Sequence, residues 1–495
     1  MESAHIINPT HRAKEEINAW QLPVKKALEI AVIPCCADFN HFSLDKINDL
    51  VLQNWRQNKT RKPLVIRGAR QVGKTTVVNQ FASMYEQYIY VNLELAEDKE
   101  PFEKFTSLET LITTLFFLKN KTLAKKSTTL LFIDEIQAVP KALNILRYFY
   151  ELAPEISVIA AGSMLETLFN KHISFPIGRV EYKVIRPVSF PEFLSAIGET
   201  AALEQINQVP IAAFAHTKLL RLFHTYALIG GMPEIVQQYA THRDLVALTP
   251  IYDSLISGYM EDVEKYAKSN AQILHLRHCI QSSFAQAGKR IKFEGFGNSS
   301  YKSREMGESL RTLEKALLLQ LIYPCTTATL PMIPDIKKSP RLQILDTGLL
   351  NYIVGIQKVI ISTDNLNNIY QGTLIEHLIG QELLAFQFNA LSTLHFWVRE
   401  KKESTAEVDY LFPYDGLVIP IEVKSGATGT LKSLHSFMEL APHDIAIRLY
   451  AGAFSISDAI TQKGKSYKII NLPYYLGSQI EKYIAWFIQS KKVAK

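Results

Sequence analysis

Pro63-Leu64-Val65-Ile66-Arg67-Gly68-Ala69-Arg70-Gln71-Val72-Gly73-Lys74-Thr75-Thr76-Val77-Val78 runs from a short apolar segment, through a loop bounded by two glycines, into a stretch of helical character. Its centre has the form G-x-x-x-x-G-K-T, the pattern of a nucleoside triphosphate loop. Gly68 and Gly73 let the backbone turn its N–H groups inward around phosphate oxygens, where a side chain would obstruct the wrap. A helix beginning near Lys74 adds the positive end of its dipole. Gly68, Ala69, Arg70, Gln71, Val72, Gly73, Lys74, Thr75 and Thr76 are therefore expected to bind nucleotide, with ATP and Mg as the implied cofactors. Lys74 is placed to reach the β and γ phosphates, and the Thr75 hydroxyl to take one position on Mg²⁺.

Outward from this loop, 495 residues supply material for roughly three domains. A 47% share of hydrophobic residues can furnish each with a core and excludes a disordered or fibrous chain. No apolar run approaches the ~18 residues of a membrane span, and Met1-Glu2-Ser3-Ala4-His5 lacks a signal-peptide layout, so a cytoplasmic protein without membrane contact is expected. Cys35, Cys36, Cys279 and Cys325 form no C-x-x-C pair and read as reduced thiols rather than a zinc site or a disulfide framework. Net charge is +6, yet residues 265 to 345 hold thirteen Lys/Arg against five Asp/Glu. The basic excess is regional, which fits either a polyanion-binding segment or a solvated face.

A second motif, Thr128-Thr129-Leu130-Leu131-Phe132-Ile133-Asp134-Glu135-Ile136-Gln137, is a buried-strand run ending in two carboxylates. Strands alternating with helical stretches imply a parallel sheet, and ligands of such sheets sit at the strands' carboxyl ends. Asp134 then emerges beside Thr75 to hold Mg²⁺, usually through water, and Glu135 polarises the attacking water. Ile156-Ser157-Val158-Ile159-Ala160-Ala161-Gly162-Ser163 is a further strand ending in a hydroxyl. A helix starting at Leu44 to Trp55 is expected to pack on the first strand.

Taken together, Arg67 to Thr75, Asp134-Glu135-Ile136-Gln137, Gly162-Ser163, Gly178-Arg179-Val180, Pro187-Val188-Ser189-Phe190-Pro191-Glu192-Phe193 and Gly230-Gly231-Met232-Pro233-Glu234 resemble a prokaryotic AAA+ family. Its members pair an ATPase domain with a C-terminal domain of unknown function, and the resemblance spans about residues 45 to 475. It implies a P-loop AAA+ three-layer α/β ATPase domain, in which Ser163 resembles the polar sensor next to the γ phosphate. Ser163 also reads as a helix N-cap for Met164 onward. Arg179 is the candidate for the arginine that stabilises charge on the transferred phosphoryl group, frequently supplied by a neighbouring subunit of a homo-oligomer.

In the middle, Met306, Leu310, Leu313, Leu317 and Leu321 recur at spacings of four, three, four and four, one helix stripe over Ser303 to Leu321. Lys302, Arg304, Arg311 and Lys315 ride on it, followed by a strand, a tip with Lys337-Lys338 and a strand at Arg341 to Leu345. That order predicts a winged helix, used on DNA or as a protein contact. After the polar stretch Ser362 to Asn368, Glu376 lies on a helical run, and Asp409 precedes a Glu422-x-Lys424 triplet by thirteen residues. Period-two alternation puts Glu422 and Lys424 on one strand face, and a hairpin brings Asp409 alongside. The pattern resembles the restriction-endonuclease-like fold, whose carboxylates hold Mg²⁺ while the lysine orients water. A surface hairpin with ordinary Glu–Lys pairing is the plainer alternative.

The expected organisation is an extension over 1–42, the ATPase domain over 43–205, a helical and winged-helix domain over 206–355, a restriction-endonuclease-like α/β domain over 356–480 and a basic tail over 481–495. The expected function is a Mg-dependent ATPase whose nucleotide state controls a DNA- or RNA-binding module. An ATP-gated metal-dependent nuclease and a nucleotide switch for a protein partner are the alternatives.

Overall fold

A computed structural model describes residues 47–163, 178–357, 372–389, 392–399, 406–424 and 431–493, all within one compact unit that spans 43–495. The 1–42 extension, the polar stretch Ser362 to Asn368, the helix expected from Met164 and the last two residues lie outside the described residues.

Five parallel strands build the first sheet: β1 (Leu64–Arg67), β2 (Gln87–Asn92), β3 (Thr129–Asp134), β4 (Ser157–Gly162) and β5 (Glu181–Val184), in the order β2-β3-β4-β1-β5. All six residues of β3 and of β4 are buried, as continuous apolar strands must be when helices cover both faces. Helices α1 (Ile47–Gln57), α2 (Lys74–Phe81), α3 (Ala96–Glu103), α4 (Leu108–Leu118) and α5 (Pro140–Leu152) supply that cover. The Ser107 hydroxyl accepts from Thr110 N at the start of α4, and Pro140 opens α5 where its missing N–H costs nothing. Helix α1 lies against α2, with Trp55 and Phe81 ring centres 6.5 Å apart.

A helical region follows: α6 (Phe190–Ala196), α7 (Thr200–Ile206), α8 (His216–Ile229), α9 (Pro233–His242) and α10 (Thr249–Tyr266). Next come α11 (Asn270–Ala285), α12 (Ser303–Lys315), β6 (Leu319–Ile322), β7 (Pro324–Cys325), β8 (Arg341–Ile344) and α13 (Thr347–Ile353). The apolar stripe buries Met306, Leu310 and Leu313, but the helix stops at Lys315. Leu317 turns to φ 61° and Leu321 already belongs to β6, so the last two members of the predicted stripe are not helical. β6 and β8 pair antiparallel, while the segment between them adds β7 to a second sheet.

The remaining elements are α14 (Gly372–Ala385), β9 (Phe396–Val398), β10 (Glu407–Val408), β11 (Tyr410–Tyr414), β12 (Leu417–Val423), α15 (Lys432–Met438), β13 (Ile445–Tyr450), β14 (Ser455–Ile460), β15 (Ser466–Pro473) and α16 (Ile480–Val493). They form a mixed sheet β11-β12-β13-β15-β14 and a small sheet β10-β9-β7. The predicted hairpin is present, turning at Asp415-Gly416, both at positive φ. The predicted basic tail is part of α16, which buries Tyr483, Ile484 and Phe487. Cys279 and Cys325 are buried free thiols; Cys35 and Cys36 lie outside the described residues.

Three of these regions meet at one buried polar junction. Val188 N donates to Gly231 O (2.7 Å) and Gly231 N to Asp346 Oδ2 (2.6 Å), and the Tyr226 hydroxyl lies within hydrogen-bond distance of both Val188 O (2.9 Å) and Glu382 Oε1 (2.7 Å). Glu382 also accepts from Phe190 N, and Thr347 N donates to Gln381 Oε1 (2.9 Å). A Cβ on Gly231 would stand 2.1 Å from Val188 O, so the Gly230-Gly231 motif is a close backbone approach and not a free turn.

Burial raises Glu382 to about 8 and Asp346 to about 6. An acid held neutral in the fold but free to ionise when unfolded makes stability fall as pH rises between the two values, here from 4.5 to about 8 for Glu382. Glu382→Gln, which cannot ionise, is expected to gain stability relative to the parent as pH goes from 5 to 8. Urea denaturation at both values measures this, and a constant difference between the two proteins would contradict a buried neutral acid.

Candidate functional site

The glycine-bounded loop leaves β1 at the carboxyl end of the sheet. A Cβ on Gly68 would lie 2.6 Å from Ile185 O and 2.9 Å from Val72 Cγ2, so the loop closes only with glycine there. Gly73 takes φ 90° and Gln71 φ 63°, and Val77 N donates to Gly73 O (3.0 Å) in the first turn of α2. Lys74 is buried and folds back on its own loop, donating to Ala69 O (2.8 Å) and Gly68 O (3.2 Å). Burial pulls it down to about 8, against the opposing pull of Glu135 and Asp134.

The Thr75 hydroxyl donates to Asp134 Oδ2 at 2.7 Å, joining the loop to the end of β3 as the two motifs predicted. Glu135 N donates to Asp134 Oδ1 (3.0 Å), and the Tyr90 hydroxyl approaches Oδ2 (3.4 Å). Glu135 adopts φ 50°, a left-handed conformation that a non-glycine residue takes at a cost of about 1–3 kcal/mol. Its carboxylate accepts from Gln137 Nε2, and burial raises its pKa. A hydroxyl, a carboxylate and an ammonium converging on a glycine-bounded loop form a donor set that fits a nucleoside triphosphate with Mg²⁺.

Ser163 follows β4, which lies between β3 and β1, so it stands at the same end of the sheet. Arg179 does not. It precedes β5, whose first residue Glu181 pairs with Leu64 at the amino end of β1, and its Nε contacts Glu151 Oε1 at 2.8 Å. Arg70, by contrast, belongs to the phosphate loop itself. Its guanidinium is ion-paired with buried Asp262, and its carbonyl accepts from the Tyr259 hydroxyl (2.9 Å), both on α10. Sequence reading missed Asp262 and Tyr259 because a partner some 190 positions away leaves no local signal.

This fold and loop define an AAA-type, ATP-binding ATPase domain. In agreement, residues 60–194 match the family described as AAA domain. Residues 220–359 match a domain of unknown function (DUF8612), and residues 371–475 match another (DUF4143). No curated protein matches the chain. Among the described residues no helix is long and apolar enough to cross a membrane.

The second predicted cluster also assembles. Asp409 Oδ2 accepts from Val423 N (2.7 Å), and Lys424 Nζ lies 2.5 Å from Glu422 Oε1. Burial, with Asp409 next, raises Glu376 to about 7 and Glu422 to about 8. Glu422 Oε2 is buried without a hydrogen-bond partner. Arg341, from β8, enters the cluster: Nη1 donates to Asp409 O (3.0 Å), Nη2 pairs with Glu407 and stands 4.0 Å from Asp409 Oδ1. Its guanidinium lies 4.7 Å from the Phe396 ring centre. Among the described residues no group of three or more His, Cys, Asp or Glu is arranged to hold a metal ion. Nothing in the sequence linked Arg341, placed with the middle domain, to these acids.

Removing one member of a buried charge pair costs about 3–5 kcal/mol because the other is left uncompensated. Arg341→Met is expected to lose stability on that scale in urea denaturation, and adding Glu407→Gln to recover part of it. Equal stability of Arg341→Met and the parent would mean that the acids are already neutral.

Proposed function

We propose that the chain is a Mg-dependent ATPase whose nucleotide state is passed, through α10, to a nucleic-acid-binding middle region. The observation that carries the ATPase reading is the Thr75–Asp134 bond at 2.7 Å beside Lys74. Lys74 would leave the loop carbonyls for the phosphates, and Thr75 and Asp134 would hold Mg²⁺, which would supply neutralisation of phosphate charge. Glu135, aimed by Gln137, accepts the proton of the attacking water, and Ser163 orients that water or the terminal phosphate. Arg179 has a role only on the nucleotide of a neighbouring copy.

The route outward starts at Arg70. Tyr259 and Asp262 tie the loop to the last turns of α10, and α10 packs on α11, which packs on α12. Lys302, Arg304, Arg311 and Lys315 are exposed on or beside α12, which also carries Glu305, Glu308 and Glu314. Helices α11 and α12 with the β6–β8 pair support a winged helix, and its exposed cations support phosphate contact. The C-terminal sheet supports a restriction-endonuclease-like module. The unpartnered Glu422 Oε2 favours metal-dependent cleavage, but Arg341 already supplies positive charge to those acids, so a binding role is preferred.

Lys74→Ala and Glu135→Gln are each expected to lower ATP turnover by ~10²-fold or more, with nucleotide binding kept in Glu135→Gln. Unchanged turnover in purified protein would remove the ATPase reading. For the coupling, DNA affinity of the parent should differ between ATP and no nucleotide, and that difference should shrink in Asp262→Asn. Fluorescence anisotropy over a salt series measures both, since phosphate contacts require affinity to fall steeply with salt.

A further inference from the structure

The loop between β7 and β8 is held firmly at its base. Residues 288–291 lie along the free side of β8: Gly288 N donates to Leu342 O (2.7 Å), Leu342 N to Lys289 O (3.0 Å) and Ile291 N to Pro340 O (2.8 Å). β8 is therefore bonded on both sides, to this segment and to β6. Across the loop, Asp335 N donates to Pro324 O (2.8 Å), and Arg290 Nε to Ser339 O (3.2 Å). Asp335 also makes the turn that follows it, accepting from Lys337 N at Oδ1 (3.1 Å) and from Lys338 N at its carbonyl (3.1 Å).

What this ordered loop presents to solvent is aliphatic. Leu330 is 45% exposed, Ile333 70% and Ile336 77%, on a stretch that also holds Pro331 and Pro334. Single exposed aliphatic residues are ordinary, but three on one loop whose backbone is pinned form a patch with a use. The prolines and the Asp335 turn restrict the backbone, so the side chains stay outward. Lys337 is exposed next to Ile336, and Lys289 is exposed on the segment beside β8. Among the described residues no carboxylate pairs with either lysine, and Asp335, the acid of the loop, is engaged by the turn and lies 3.6 Å from Lys338 Nζ. The surrounding segment, 265 to 345, carries thirteen Lys/Arg against five Asp/Glu. Its charge calls for a polyanion, and its tip for one that offers apolar surface behind the charge. A duplex does both, with stacked bases behind its phosphates.

We infer that the tip of this loop is a wedge: Ile336, with Ile333, inserts between base pairs of a DNA duplex while Lys337 and Lys289 hold the flanking phosphates. The inference rests on the reading of the middle region as nucleic-acid-binding and gives that region its mode of contact. Aliphatic side chains pushed between base steps from the minor groove unstack and kink the duplex. Such insertion is easiest at flexible or already unstacked steps, so it selects deformable DNA and not a pattern of base edges. The wedge does not require that the chain turn over ATP.

The test uses the full chain with Ile333→Ala and Ile336→Ala together, changes at exposed side chains that leave the backbone bonds of the loop in place. Short duplexes carrying 2-aminopurine at successive positions report unstacking, and fluorescence anisotropy over a salt series reports affinity. The parent should brighten the probe at particular positions. It should also bind a mismatched duplex more tightly than the matched one, because unstacking there is partly complete. The double variant should lose both effects and bind roughly tenfold more weakly, with its salt slope unchanged. Lys337→Gln should do the reverse, keeping the brightening and lowering the slope by about one. DNA binding without brightening, or brightening equal in parent and double variant, would overturn the wedge and leave the nucleic-acid reading standing. Absence of salt-dependent DNA binding by the parent would remove both. Binding to phosphatidylglycerol vesicles that the double variant loses would then assign the tip to a lipid surface.

Discussion

One buried junction ties the ATPase sheet to the regions that follow it: the Tyr226 hydroxyl stands within hydrogen-bond distance of both Val188 O and Glu382 Oε1. Val188 is on the exit from β5, Tyr226 is on α8 and Glu382 is on α14. A single phenol therefore ties three segments that are distant in sequence. Hydrogen bonds in a low-dielectric interior are strong and directional, while a group left unpaired there is heavily penalised. The arrangement consequently tolerates little displacement of one region against the others. Gly231 and Gly348 reinforce it, since a Cβ at either would collide with a carbonyl oxygen.

That rigidity has a consequence for the nucleotide site. With the β5 exit fixed by the junction, Ile185 O is held against Gly68, and Ile185 N donates to Arg67 O (2.7 Å). The phosphate loop is thus braced from the side of the sheet edge. On its other side it is tied to α10 by one ion pair and one hydroxyl, with Arg70 partly exposed. Of the two attachments, the second is the softer, because a partly exposed ion pair contributes little against solvent. The attachment to α10 is therefore the weaker of the two, and the brace from β5 the firmer.

How much of this was legible in the sequence follows from how far each signal reaches. Gly68 to Thr75, the strand into Asp134, and the order Glu376, Asp409, Glu422, Lys424 carry their chemistry locally, through turn requirements and period-two alternation, and the predicted neighbours meet. Pairings set by tertiary packing left no such trace. Arg70 with Asp262, and Arg341 with Glu407, join residues whose local patterns say only that a charge is present. The stripe from Met306 to Leu321 shows the opposite error. Its spacing continued past the helix because a strand residue, Leu321, fell on the same count, and the turn at Leu317 uses a conformation that leucine gives no reason to expect.

Two buried cations show how the same electrostatic cost can be resolved in one fold. Lys74 is held by two carbonyl oxygens, which engage two of its three hydrogens but do not match its charge, so it is poised to exchange them for phosphate. Arg341 is held by carboxylates, which satisfy both, and an added metal ion would have to compete with it. Ranked by what each lacks, the lysine points to a ligand, while Arg341 points to structure. A cation among acids therefore does not by itself make the C-terminal cluster catalytic, and a cation without acids is the stronger signal of a site.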